Sequence, residues 1–144
     1  MIATRDILDA SPTALPFGAE ELATAVDACL SCFQTCTSCA DADLAEKDVA
    51  DMSECIASCV TCADLCQVTA RVLSRPSHWD KFVVHRLLQA CVRACTSSAE
   101  ECARHAAHHR HCAICEKVCR ACIRACTALL DAEAFAELQK LAGG

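Results

Sequence analysis

The sequence predicts an all-α protein: an antiparallel, up-down-up-down four-helix bundle behind a short N-terminal extension. Three observations lead there. All 16 cysteines of the 144-residue chain fall into four sets, spaced within each set by three or four residues or by their sum, the rhythm of one helical face. Ala, Leu, Glu, Arg and Cys dominate while Gly and Pro number three each, too little turn chemistry for an all-β fold. The stretches between the sets are short, and helices joined by short links pack antiparallel.

Residues 1–18 read as an extension and residues 19–144 as the bundle. Within the extension, Ile2 to Ala10 can make a short helix, stopped by Ser11-Pro12, with Pro16 and Gly18 as further breakers. The first bundle helix is expected to start near Glu20, whose charge, with that of Glu21, suits a helix N-terminus. It carries Cys29, Cys32, Cys36 and Cys39; the same stripe runs back to Leu22 and forward to Asp43. A neighbouring apolar strip consists of Val26, Leu30, Phe33, Ala40 and Leu44.

The second helix, expected from an Asp48 cap, carries Cys55, Cys59, Cys62 and Cys66, with Met52 one step before and Leu73 beyond. Ser74-Arg75-Pro76-Ser77 is the clearest break, and Ser77 with Asp80 reads as a capping box. The third helix then runs from about His78, with Cys91, Cys95 and Cys102 on its stripe and Ser98 at the skipped position. That stripe continues to His105 and His109. A turn within residues 106–111 leads to the fourth helix, with Cys112, Cys115, Cys119, Cys122 and Cys126, expected to continue through Leu129, Leu130, Phe135 and Leu138 to Gly143-Gly144.

Up-down-up-down packing separates two ends. One gathers Leu22, Leu73, Phe82, Leu88, Leu129 and Leu130, an apolar plug; the other gathers Asp43, Asp48, Met52, His105, His108, His109 and His111. Thiols line the middle.

Composition removes several function classes. A net charge of −6 argues against nucleic acid, which needs a basic face. No apolar run approaches the roughly 18–20 residues of a membrane span, so no membrane partner is expected. The first twelve residues lack the apolar stretch of a signal peptide. The expected location is the cytoplasm, where thiols stay reduced. No nucleophile–base pair or phosphate loop is visible, so no enzyme is expected.

Thiols three or four residues apart on a helix have Cβ atoms about 5–6 Å apart, whereas a disulfide wants about 3.8 Å. Such neighbours chelate more readily than they bridge, since two metal–sulfur bonds of roughly 2.3 Å span the gap. A thiolate interior suits soft ions: Cu(I), zinc or an iron–sulfur cluster. Discrete zinc sites come as two local pairs separated by a loop, and these ladders define no such island. Four zinc ions on all 16 thiolates would leave +8 against −16, an unbalanced buried charge, whereas one Cu(I) per thiolate cancels. Cys29 to Cys39 loosely matches a ferredoxin run, but its spacing is helical and the terminal Cys-Pro is missing. The expectation is storage of multiple Cu(I) ions, the alternatives being an iron–sulfur electron-transfer protein or a zinc or thiol buffer.

Four cysteine-striped helices and the segment from Glu101 to Cys122, ECARHAAHHRHCAICEKVCRAC, resemble the cytosolic copper storage proteins of bacteria. The resemblance covers roughly residues 20 to 130. It implies a bundle that fills its core with Cu(I) on thiolates, a homotetramer, exchange with a copper donor or acceptor, and loading through the polar end. The chain departs from a regular ladder at Ser98. Met52, His105, His109, His108, His111 and Asp43 are the candidates for metal entrance. Thioether and imidazole suit copper, and the carboxylate field attracts cations. His78 and His85 read as structural or surface residues.

Overall fold

The computed structural model describes residues 3–141; Ile2, Gly143 and Gly144 lie outside the described residues. Six α-helices follow one another: α1 Thr4–Ala10, α2 Ala19–Leu44, α3 Ser53–Leu73, α4 Lys81–His105, α5 Arg110–Leu130 and α6 Ala136–Leu141. Among the described residues three 3-10 segments, Val49–Met52, Pro76–His78 and Glu133–Phe135, stand between α2 and α3, α3 and α4, and α5 and α6. Helices α2 to α5 form the bundle. Each packs on two neighbours, α2 and α4 both contacting α3 and α5. The short α1 docks on α2, with Leu8 buried and the Thr4 hydroxyl donating to Asp27.

The helix ends show where local chemistry differs from the simplest reading of the sequence. Helix α4 starts at Lys81 because the Asp80 carboxylate accepts from the Phe82 and Val83 amides at 2.9 and 3.2 Å. It occupies the N-cap alone; Ser77 lies in the preceding 3-10 turn, its hydroxyl 2.8 Å from that of Thr13. Asp48 does not cap α3 either. The Val49–Met52 turn intervenes, and the Asp48 carboxylate accepts instead from His109 at 3.1 Å.

The apolar end is built differently from the expectation in two respects. Phe82 is 67% exposed. The buried stripe of α4 runs back from Cys91 through Leu88 to Val84, and a residue two positions earlier lies about 200° round the helix. The fourth bundle helix stops at Leu130 rather than running on to Leu138. Extended backbone at Ala132 turns the chain, and Phe135 folds back to 1% exposure. Its ring lies 5.3 Å from Phe17 and 5.5 Å from His85, and Phe17 lies 5.7 Å from Trp79. Leu22, Leu73, Leu88 and Leu129 are buried in the same core. A straight helix would carry Phe135 past the end of the bundle into water; the break converts it into a stopper.

Of the apolar strip on α2, Val26 and Ala40 are buried, Leu30 and Phe33 are half-buried against the core, and Leu44 is 61% exposed. Val49–Leu73 is apolar and long enough to cross a membrane by length and composition alone, contrary to the sequence expectation. Four of its apolar residues are cysteines buried in the bundle.

Phe135→Ala should therefore destabilise the reduced, metal-free protein by about 3–5 kcal/mol, and Phe82→Ala by no more than about 0.5 kcal/mol. Urea unfolding followed by circular dichroism measures both. Equal costs would mean that Phe135 does not close the bundle.

Candidate metal centre

Every cysteine side chain points inward. Fifteen of the 16 are fully buried and Cys39 is nearly so, and all are free thiols. A stripe at three- and four-residue spacing stays on one helical face, and four such faces meet on the bundle axis. Across helices the sulfurs come within 4 Å. From the apolar end, Cys29 lies 3.7 Å from both Cys126 and Cys122. Cys66 is 3.9 Å from Cys91 and Cys122, and 3.5 Å from Cys95. Cys32 reaches Cys62 and Cys119 at 3.7 Å, and Cys36 reaches Cys119 and Cys115 at 3.5 and 3.6 Å. Cys102 lies 3.8 Å from Cys55 and 3.7 Å from Cys59.

These contacts make a column of four-sulfur groups, some of which overlap. Cys29, Cys91, Cys122 and Cys126 form one; Cys32, Cys66, Cys95 and Cys122 the next; Cys32, Cys36, Cys62 and Cys119 a third. The first two share Cys122 and the second and third share Cys32, so a sulfur can serve two ions. Cys39, Cys59, Cys102 and Cys115 form a fourth. Ser98 is buried inside the column. Its hydroxyl lies 3.5 Å from the Cys59 and Cys119 sulfurs and 3.8 Å from Cys36. A hard oxygen thus stands where the ladder would place a thiol.

The protons on these sulfurs are unevenly held. Hydrogen bonding, with Cys119 the largest contributor, and then burial push the Cys32 thiol above its ordinary range. At the polar end, burial and then the charge of Asp43 push Cys112 upward. Its thiol accordingly donates to Asp43 Oδ1 at 3.4 Å.

The polar end gathers nitrogen and oxygen donors on the last turns of the column. His111 Nδ1 lies 3.4 Å from the Cys39 sulfur, 3.5 Å from Cys112 and 3.4 Å from Asp43 Oδ1. Its Nε2 faces Glu46 at 3.2 Å. Asp43 is fully buried, and its Oδ2 has no hydrogen-bond partner among the described residues. His109 turns to Asp48 and Glu46; hydrogen bonding to Asp48 raises the imidazole pKa and lowers that of the carboxylate. The His105 ring lies 6.3 Å from that of His109. His108 is exposed, and Met52 is buried beside the start of α3.

Of the polar-end candidates, then, His111 and Asp43 meet thiols, whereas His109 turns to the carboxylates and His105 lies beside the His109 ring. The sequence signal for His111 is its place one turn before Cys115 on the α5 stripe. Glu46 went unnoticed, because it lies beyond the end of α2 and no stripe points to it. A surface groove between α2 and α5, lined by Ser38, Cys39, Ala42, His111 and Ile114, reaches the column at Cys39.

Comparison with known proteins fits this geometry. The copper storage protein family matches residues 18–131. A structure of the copper storage protein Ccsp from Streptomyces lividans, loaded with 10 copper equivalents, is 44% identical. It superposes with a TM-score of 0.86, covering 88% of this chain and 97% of that one. A second structure, of a cytosolic copper storage protein from Streptomyces lividans with five coppers, is 47% identical. Its TM-score is 0.77, with 78% and 94% of the two chains covered. An uncharacterized cysteine-rich protein of Bacillus subtilis, YhjQ, is 28% identical over 92 residues, 64% of this chain and 80% of that protein. The chain with its buried column of thiols belongs to the copper storage protein family.

Proposed function

We propose that this chain is a cytosolic store that holds multiple Cu(I) ions on the cysteine thiolates of its core. The observation that carries the reading is the continuity of the sulfur column, whose successive groups share a sulfur or meet sulfur to sulfur, as Cys36 and Cys115 do at 3.6 Å. Thiolate selects Cu(I) among the available soft ions. Each ion that replaces thiol protons leaves the interior close to neutral, which a buried array of charges requires. A single iron–sulfur cluster or zinc ion would use four thiols and leave the rest of the ladder without a task. The role is binding and release rather than catalysis.

Copper enters at the polar end. There Met52, His105, His109, His108, His111 and Asp43 offer ligands weaker than the thiolates beyond, so an ion is never stripped bare before the next donor takes it. At the other end Leu88, Leu129 and Phe135 offer no donor, and a cation there would lose its ligands without replacement. Delivery and removal involve a copper donor or acceptor that makes contact at the polar end.

The homotetramer implied by the resemblance has support in Val60, Val68 and Ile114, apolar side chains left exposed on the outer faces of α3 and α5.

Anaerobic titration with Cu(I) against a chelator is expected to show many ions bound per chain. Saturation at one or two ions would end the storage reading, and Ser98→Cys should raise the capacity by about one ion if sulfur count sets it. Replacing Met52, His105 and His109 by apolar residues should slow loading and unloading in stopped-flow transfer with capacity nearly unchanged. Conservative changes at Leu88 or Leu129 should alter neither rate. Equal rates for the polar-end variant and the parent would place the route between helices instead. Light scattering is expected to give four times the chain mass; a monomer mass would remove the tetramer.

A further inference from the structure

We propose that Ser98 divides the copper store in two: it stands in place of the sulfur that would join the halves, so the thiols on either side of it fill and empty as separate pools. The proposal rests on the storage reading and deepens it. On α4 the inward stripe runs Cys91, Cys95, Ser98, Cys102, so position 98 has the phase of a ladder cysteine, and its side chain is fully buried. Its Oγ lies 3.5 Å from Cys59 and Cys119 and 3.8 Å from Cys36, one sulfur from each of the other three bundle helices. A cysteine there would complete a four-sulfur group. That group would share Cys36 and Cys119 with the one on its apolar side and Cys59 with the one on its polar side. With serine the sharing stops. The first three four-sulfur groups are joined through Cys122 and Cys32, whereas Cys39, Cys59, Cys102 and Cys115 share no sulfur with any of them. Cys36 and Cys115 touch across the break at 3.6 Å, each belonging to the group on its own side.

A serine hydroxyl cannot make good the missing sulfur. It is a hard, neutral oxygen, and Cu(I) prefers soft thiolate. It also brings no charge. Where each Cu(I) is balanced by one thiolate, an ion at the level of Ser98 has no anion of its own, a costly state for a buried cation. In the metal-free protein the Cys119 thiol donates to the Ser98 oxygen at 3.5 Å. Once that sulfur holds metal, the hydroxyl proton can turn to it instead and engage a lone pair that would otherwise bridge to the far side. Cys39, Cys55, Cys59, Cys102, Cys112 and Cys115 form the polar-side pool, and the other ten cysteines form the apolar-side pool. The polar-side pool adjoins the groove between α2 and α5 at Cys39. Leu88, Leu129 and Phe135 close off the other, so its ions leave past Ser98, across a step without a bridging ligand. Each Cu(I) bound displaces a thiol proton to solvent, and the copper keeps its oxidation state.

Full-length protein, reduced, anaerobic and fully loaded with Cu(I), is mixed with an excess of a chromophoric Cu(I) chelator and release is followed in time. The parent should release copper in two phases whose rates differ by about tenfold or more, the faster having the smaller amplitude. Ser98→Cys restores the joining sulfur and should bring the two rates to within about threefold of each other. Ser98→Ala removes the oxygen without adding sulfur and should keep both phases. A single phase in the parent, two unaltered phases in Ser98→Cys, or merged phases in Ser98→Ala would each overturn the proposal. Should Ser98→Cys fail to fold by circular dichroism, anomalous scattering at the copper edge from crystals of the loaded parent decides. Copper is expected among the sulfurs on both sides with none bonded to Ser98 Oγ; an ion on that oxygen, or one bridging Cys36 to Cys115, would overturn it. A parent that binds only one or two ions refutes the storage reading and the division with it, whereas many ions released in one phase refute the division alone.

Discussion

Sulfur-to-sulfur contact across the bundle axis is the constraint on which the structure depends. Four helices bring sulfurs to 3.5–3.9 Å of one another, which requires a small side chain at each inward position of the middle turns. A leucine there would hold the helices apart and interrupt the column. Protonated thiols tolerate this arrangement because each behaves as a small polarizable hydrophobe. The surface that packs the core of the metal-free protein is therefore the surface that receives metal. Thiolates would repel one another in a low-dielectric interior, and a bound cation offsets that repulsion.

The two ends of the bundle resolve what such a column lacks. Small side chains bury little apolar area, and the large ones are concentrated at one end: Leu22, Leu73, Leu88, Leu129 and Phe135. Each contributes roughly 1.5–3 kcal/mol by leaving water. The 3-10 turn Glu133–Phe135 and the N-terminal segment around Phe17 complete that end. The opposite end instead carries imidazoles and carboxylates in mutual contact, with Glu46 facing both His109 and His111. Apolar packing and polar donor groups are thereby assigned to opposite ends of one axis, and neither compromises the other.

Much of this was legible in the sequence, for a physical reason. Helical periodicity is a local property, and sixteen cysteines at three- and four-residue spacing specify four helices, the face each turns inward and the material of the core. Short links then dictate antiparallel neighbours, and antiparallel order assigns residues to ends. The burial of Asp43 and of Leu22 follows from extending the α2 stripe, and the exposure of Phe82 was available from the phase of the α4 stripe, which reaches back to Val84.

Other features belong to the tertiary structure because they depend on where chains meet, which no stripe encodes. The stop at Leu130 and the return of Phe135 are set by the length of the bundle, not by any strong breaker between Asp131 and Phe135. Asp48 and Ser77 are plausible caps by sequence, yet their side chains find His109 and Thr13 across 61 and 64 residues. His111 lies at a helix start, where sequence alone cannot tell a solvated imidazole from a buried one. Packing against α2 turns its Nδ1 to Cys39 and its Nε2 to Glu46. The sequence by itself determined the helices, their thiol faces and the soft-metal chemistry, since each follows from residue type and spacing along one chain. Only the tertiary structure decided which nitrogen and oxygen donors join the sulfurs, because that depends on distances between helices.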